Sequence, residues 1–351
     1  MARANQKPGI VNPKVSIIIP HHGGYTILYE CISSIQNSDF KDYEVILVDN
    51  NTTDSSIEKV TKEFEDIRVL HLDTNKGYAG GCNEGANAAN GEFLIFLNND
   101  TVHESGWIQP LLECLIRNKH IGSVQPKIKN TDNRSMFDYA GASGGFIDIF
   151  CYPYTRGRIF NHIEEDINQY DDESKIFWAS GCAFMTRREL FMKIKFDEKL
   201  FAYMEEIDFH WKLNLMGLDS VVIPQSVVYH SGQTLQGSGY KKTYYNHRNS
   251  MILFLTNHNL FLMLGLLVPK LFLELTSMTR YLLTLNVRAF TAQLSTYFWI
   301  SMHPLYLLKK SRGLSKLKTK SKFSIISKMH KPSIVLDYFI FRKRKYSDLI
   351  N

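Results

Sequence analysis

Short unbroken apolar runs recur along the first hundred residues: 15–19, 44–48, 67–72 and 92–97. They are rich in Val, Ile and Leu. They are closed by Pro20, by Asp49-Asn50-Asn51 and by Asn98-Asn99-Asp100, which predicts buried strands with polar ends. Between them, 27–36, 55–64 and 80–89 have helical length. Strands alternating with such helices predict a parallel α/β sheet. Ligands of these sheets bind at the carboxyl ends of the strands, where Asp49, Asn75 and Asp100 fall.

Residues 101–250 are less regular. Small residues at 180–183 lead into a strand, 204–215 reads as a helix with Gly217 past its end, and 221–224 and 227–230 are strand-like. From Met251 the pattern changes. Residues 260–268 are apolar throughout, but Pro269-Lys270 follows after only nine positions. A spanning helix needs roughly 20 apolar residues, so the expectation is that no segment crosses a membrane. Leu271, Leu275, Met278, Leu282 and Leu285 share one helical face, and Ser277, Arg280, Thr284 and Arg288 share the other, as in helices lying in a membrane plane.

Charge sharpens that division. Residues 1–240 carry 22 basic and 32 acidic side chains, and residues 241–351 carry 19 and 3. Thirteen Lys or Arg and one acid, Asp337, lie between 309 and 345. The basic part calls for an anionic partner, nucleic acid or membrane. Few aromatics and no RNA-binding motif argue against nucleic acid. The expected organisation is a catalytic domain over 1–250 and a helical, membrane-associating region over 251–351. The five cysteines include no CxxC pair and argue for a reducing compartment. Residues 1–14 show no apolar leader, so no secretory signal is expected.

Five places could carry chemistry. Glycines in 75–85 would let backbone amides approach a phosphate or a sugar, or would let a helix pack closely. The spacing is not GxGxxG, which disfavours a dinucleotide-binding oxidoreductase. Asp100, closing a strand, could hold a divalent cation beside a phosphate or form an ordinary turn. Glu205, Glu206 and Asp208 crowd three carboxylates, which raises a pKa as a general base requires. A solvated helix start also favours acids. His230 could be a ligand, although a lone histidine is more often structural. Trp178 could stack on a sugar or simply fill core.

In order, Val15-Ser16-Ile17-Ile18-Ile19-Pro20, Val48-Asp49-Asn50-Asn51-Thr52-Thr53-Asp54, 75–83, Leu97-Asn98-Asn99-Asp100-Thr101, Trp178-Ala179-Ser180-Gly181-Cys182-Ala183, Phe196-Asp197-Glu198, Glu205-Glu206-Ile207-Asp208 and Val228-Tyr229-His230 are matched. Taken together they resemble the family-2 glycosyltransferases, most closely the rhamnosyltransferase-like branch, over about residues 14–250. The resemblance implies a GT-A fold: a Rossmann-like mixed α/β sheet flanked by helices. It implies a nucleotide-diphosphate sugar donor with Mg²⁺ or Mn²⁺, and inverting transfer to a glycan or lipid-linked acceptor in cell-surface polysaccharide or glycoconjugate synthesis. Donor contacts would come from Pro20, Asp49, Asn51, Asn75, Gly77, Tyr78, Gly81, Asn83 and Asn99. Asp100 and His230 would hold the metal, with Asn98 standing where the family has an acid. Trp178 and Gly181 would meet the acceptor. The base of relatives is the Asp of a Glu-Asp pair, which is Glu206 here, with Glu205 and Asp208 as alternatives. The other reading is a catalytically weakened sugar-nucleotide-binding scaffold of the same fold. The expected location is the cytoplasmic face of the cell membrane, held peripherally.

Overall fold

The computed structural model describes residues 12–232, 239–317 and 325–350. Strands β1 (Val15–His21), β2 (Tyr43–Asp49) and β3 (Ile67–His71) run parallel, and β4 (Phe93–Leu97) pairs parallel on the other side of β1. Helices α1 (Tyr25–Gln36), α2 (Ser56–Glu63) and α3 (Gly77–Ala88) connect them, as the alternating pattern predicts. Strict alternation along the strands divides the core. Ile17, Ile19, Val45 and Leu47 pack with α1 and with α4 (Ile108–Arg117), while Ile18, Ile46 and Val48 pack with α3.

Beyond β4 the sheet becomes mixed. It continues through β12 (Ala183–Arg187), β6 (Ile121–Asn130), β13 (Asp219–His230) and β11 (Ser174–Ile176), and β5 (Thr101–His103) also pairs with β13. Helices α5 (Arg188–Ile194) and α6 (Glu205–Leu215) cover the α3 face, closed by a Phe96, Phe184, Phe191, Phe196 and Phe209 cluster. Strands β7 (Gly145–Ile147), β8 (Pro153–Thr155), β9 (Arg158–Ile159) and β10 (His162–Ile163) form a small separate sheet that the sequence pattern does not predict. All five cysteines are free and buried.

The C-terminal region is helical: α7 (Gly239–Asn257), α8 (Leu260–Leu283), α9 (Val287–Met302) and α10 (Pro304–Lys316). Helix α7 runs across position 250. Two expectations are corrected. Pro269 does not interrupt the apolar run: α8 continues through it for 24 residues and is long and apolar enough, by length and composition, to cross a membrane. A proline removes one backbone donor, and this helix is held by its inner face instead. That face is polar. Lys270 and Glu274 are buried and paired at 2.9 Å, and Glu274 also accepts from Tyr152 at 2.8 Å, His247 at 2.9 Å and Gln293 at 2.8 Å. Conversely, Phe261, Phe272, Leu275 and Leu283 of α8 and Phe298 of α9 face outward. The basic tail is not uniformly free either: Lys310, Lys328 and Lys343 pair with acids of the chain.

Breaking the buried pair should expose its energetics. Glu274→Ala leaves Lys270 buried without its carboxylate and should cost about 3–5 kcal/mol, whereas Lys270→Met/Glu274→Met should recover most of it. Urea denaturation checks this. Equal losses in the two variants would contradict it.

Candidate active site

Parallel pairing sets the carboxyl edge. The registers place His21 beside Asp49 and Asp49 beside His71. Asp49 accepts from the Thr52 amide and pairs with His71, each at 2.8 Å. Burial opposes its charge, but these bonds outweigh it and hold the carboxyl below its ordinary range. Asn51, next along, is exposed with φ 61°. Two buried residues that carried no sequence signal organise this edge. Asn50 bonds the Gly77 carbonyl at 2.9 Å and the Lys76 amide at 2.8 Å, and His21 joins Asn99 at 2.7 Å to Ser56 at 2.8 Å.

The glycine-rich start of α3 is a packing device. A Cβ on Gly77, whose φ is +69°, would lie 2.3 Å from the Phe201 carbonyl oxygen, and one on Gly85 would lie 2.4 Å from Ile18. Gly81 backs onto Pro20. The Gly77 and Ala79 amides are already taken by Asn75 Oδ1 at 2.8 Å and the Phe201 carbonyl at 3.0 Å. These corrections extend further. Asn83 is buried and saturated by the Phe196 backbone and Glu198. Trp178 is a core residue, 3% exposed, with its indole N–H on the Phe146 carbonyl and its ring under Gly145, so it offers no face to a sugar. Tyr78 donates to the Gly181 carbonyl, tying α3 to the segment before β12.

Pairing of β5 with β13 sets His230 opposite Thr101 and so beside Asp100. His230 Nε2 lies 3.2 Å from Asp100 and 3.2 Å from the Asn98 amide, while Nδ1 lies 2.9 Å from Asp138. Burial opposes the charge on His230, but Asp100 and then Asp138 outweigh it and raise the imidazole to about 10. Among the described residues no group of three His, Cys, Asp or Glu forms a metal cage. Asp100 and His230 Nε2 nonetheless have donor chemistry suited to a divalent cation that takes its remaining ligands from a diphosphate. Asp138, on the far ring nitrogen, supplies the orienting carboxylate such a histidine needs. Sequence reasoning missed Asp138.

The carboxylates on α6 occupy three different environments. Phe201, Tyr203 and Met204, just before the helix, have φ near +66° to +70°, a strained left-handed stretch for side-chain-bearing residues. Asn249 of α7 holds it by donating to the carbonyls of Leu200, Ala202 and Tyr203, and Arg248 holds the Lys199 and Leu200 carbonyls. Asp208 is fully buried but pairs with Lys212 and Lys310, and these cations overcome burial and keep it ionised. Glu205 is buried, and burial followed by repulsion from Glu206 pushes it well up. Glu206 reaches partial exposure, and burial pushes it to about 7. Burial thus raises both adjacent glutamates, and the more deeply buried Glu205 further than Glu206.

A mixed sheet with carboxylates and an imidazole at its carboxyl edge defines a GT-A type nucleotide-binding domain. Its known relatives agree. Residues 16–195 match the Glycosyl transferase family 2 model, and the chain belongs to that family. It is 36% identical over 170 residues to a GalNAc(5)-diNAcBac-PP-undecaprenol beta-1,3-glucosyltransferase of Campylobacter jejuni, covering 42% of this chain and 55% of that protein. It is 24% identical over 243 residues to an N-acetylglucosaminyl-diphospho-decaprenol L-rhamnosyltransferase of Mycobacterium tuberculosis, covering 65% of this chain and 79% of that protein. The chain thus spans about half of the first relative and more of the second. The crystal structure of GalNAc-T7 with UDP, GalNAc and Mn²⁺ shares the fold, with TM-score 0.57, 18% identity, and coverage of 70% of this chain and 48% of that one.

Removing the clamp tests the loop. Asn249→Ala strips the Ala202 and Tyr203 carbonyls of their side-chain donor, Leu200 keeping Arg248, at about 1–3 kcal/mol for buried unsatisfied groups. Displacement of Glu206 by about 1 Å should lower any turnover about 10²-fold. Thermal melting and steady-state rates read both effects, and an unchanged rate would show that the loop does not depend on α7.

Proposed function

We propose that the chain is an inverting glycosyltransferase that moves a sugar from a nucleotide-diphosphate donor to a hydroxyl of a lipid-linked glycan at the cytoplasmic face of a membrane. The observation that carries this reading is the family-2 scaffold, which holds at the start of α6 a partly exposed carboxyl, Glu206, raised to about 7 by burial beside the more deeply buried Glu205. A base poised near working pH is what proton removal from an alcohol needs. The lipid-linked acceptor is motivated by the two bacterial relatives, whose names both describe polyprenyl-diphosphate carriers.

In this reading Asp100 and His230 would hold Mg²⁺ or Mn²⁺, and the ion would neutralise charge on the leaving diphosphate. His230 would give up its Nε2 proton to do so, with Asp138 keeping Nδ1–H in place. The acceptor oxygen attacks the anomeric carbon as the bond to the diphosphate oxygen breaks. Its proton passes to Glu206. One displacement inverts the anomeric centre, and no protein nucleophile is required. Asp49, at the outer edge of the sheet, stays ionised and available to a donor nucleobase or ribose.

The test is a panel of nucleotide sugars with release of nucleoside diphosphate as readout. Turnover should rise tenfold per pH unit below about 7 and level off above it, because the deprotonated Glu206 is the active form. Glu206→Gln should lose about 10²–10⁴-fold and keep donor affinity. Donor binding without turnover in the unaltered chain would instead favour a sugar-nucleotide-binding scaffold.

The membrane assignment rests on the exposed apolar outer face of α8. Its inner Lys270 and Glu274 are tied sideways to Tyr152, His247 and Ser250, so the helix lies along the domain rather than leaving it. Its outer apolar face, and that of α9, would enter the interface, and the exposed basic residues would add about 1 kcal/mol each near an anionic surface. The chain should float with anionic vesicles, release in high salt or alkaline carbonate, and stay behind with neutral ones. Resistance to carbonate would mark α8 as spanning, and failure to float would end the docking model.

A further inference from the structure

Helix α10 has two unlike faces. Leu305 is 80% exposed, and Leu308 and Lys309 also face outward, whereas Tyr306, Lys310 and Leu314, spaced by four, turn inward. Lys310 was expected to belong to a solvated basic tail. Its side chain is instead 6% exposed, with Nζ 2.7 Å from Asp197 and 2.8 Å from Asp208. Tyr306 donates to the same Asp197 oxygen at 2.7 Å. Lys212 takes the other Asp208 oxygen at 2.9 Å, and Asn257 of α7 donates to the first at 3.2 Å. Two carboxylates and two ammonium groups thus form a largely shielded set of zero net charge, and its centre, Asp208, lies in the same first turn of α6 as Glu205 and Glu206.

We propose that Lys310 is a positioning residue for the reaction: its ammonium compensates the charge of Asp208, which shares the first turn of α6 with the glutamate pair, and it fixes α6 to the C-terminal helices. This rests on the reading of Glu206 as base. The remaining groups around the pair cannot take over this task. From α3, Tyr78 and Cys82 face Glu205 and are held neutral by burial, as is Tyr203 from the preceding loop. His210 on α6 is kept neutral by burial. Arg248 of α7 donates to backbone carbonyls and Asn249. Without Lys310 the set keeps one cation, Lys212 on Asp208, for its two carboxylates. The set would then carry one unbalanced negative charge, and a like charge disfavours ionising the pair.

The sign follows. Lys310→Met should raise the titration midpoint of the glutamate pair, and the acid limb of kcat/KM should move up with it, by about one pH unit or more. Lys310→Arg should stay within about half a unit of the parent. A merely structural role would lower the folded fraction or kcat at every pH without moving the midpoint.

The experiment is ¹³C NMR of glutamate-labelled full-length protein, following the side-chain carboxyls with pH in the parent, both Lys310 variants, Asp208→Asn and Asp208→Asn/Lys310→Met. The midpoint should rise in Lys310→Met, fall in Asp208→Asn, and return close to the parent in the double variant, which is again charge-balanced. The last two keep the test open if Lys310→Met does not fold. An unmoved midpoint in folded Lys310→Met, or no difference between Asp208→Asn and the double variant, overturns the proposal. If the midpoints move as stated but no donor turns over, the proposal stands and the assigned reaction is what fails.

Discussion

The buried balance of charge around Asp208 is the constraint on which the rest of the site depends. A carboxylate removed from water is tolerated only when paired and hydrogen-bonded. Here the partners come from three parts of the chain: Lys212 from α6 itself, Asn257 from α7 and Lys310 from α10. With Asp208 neutralised, the same first turn of α6 can carry two more carboxyls close together. Burial raises both, and it brings the less buried Glu206 near the pH at which a base is most useful.

The same logic joins the two halves of the molecule. Asn249 and Arg248 hold the left-handed stretch ahead of α6, and Tyr306 and Lys310 hold Asp197. The C-terminal helices therefore build one wall of the site. Their inner sides combine core packing by Met251–Phe254, Leu266, Leu273 and Leu314 with buried ion pairs, while α8 and α9 also present apolar side chains outward. A surface that meets lipid outside while clamping the base inside would bring the reacting groups close to a membrane-borne acceptor.

Much of the fold was legible from periodicity alone. The four parallel strands and their helices follow from runs of Val, Ile and Leu closed by polar turns, because each strand is buried on both faces. The order of strands beyond β4 was not legible, since β6, β12 and β13 pair across long separations that no local pattern encodes. Asp100, His230 and Glu206 could be picked out by residue type and family order. Asp138 and Lys310 could not. Each matters only through a neighbour 92 or 102 positions away, His230 and Asp208 respectively. Trp178 and Asn83 misled for the opposite reason: their motif positions suggested contact with substrate, but their polar atoms are satisfied inside the core. Pro269 misled because a proline is a local signal, while the helix around it is stabilised from the side by Lys270 and Glu274.

The central claim is that one proton resides on the Glu205–Glu206 pair at neutral pH while Asp208 is ionised. Infrared difference spectroscopy of the full chain reads it directly through the carbonyl stretch of a protonated carboxylic acid. The account predicts a buried acid band near pH 7 that is lost or shifted in Glu205→Gln and Glu206→Gln, and that persists with a lower titration midpoint in Asp208→Asn. Absence of the band, or its loss only in Asp208→Asn, would contradict it.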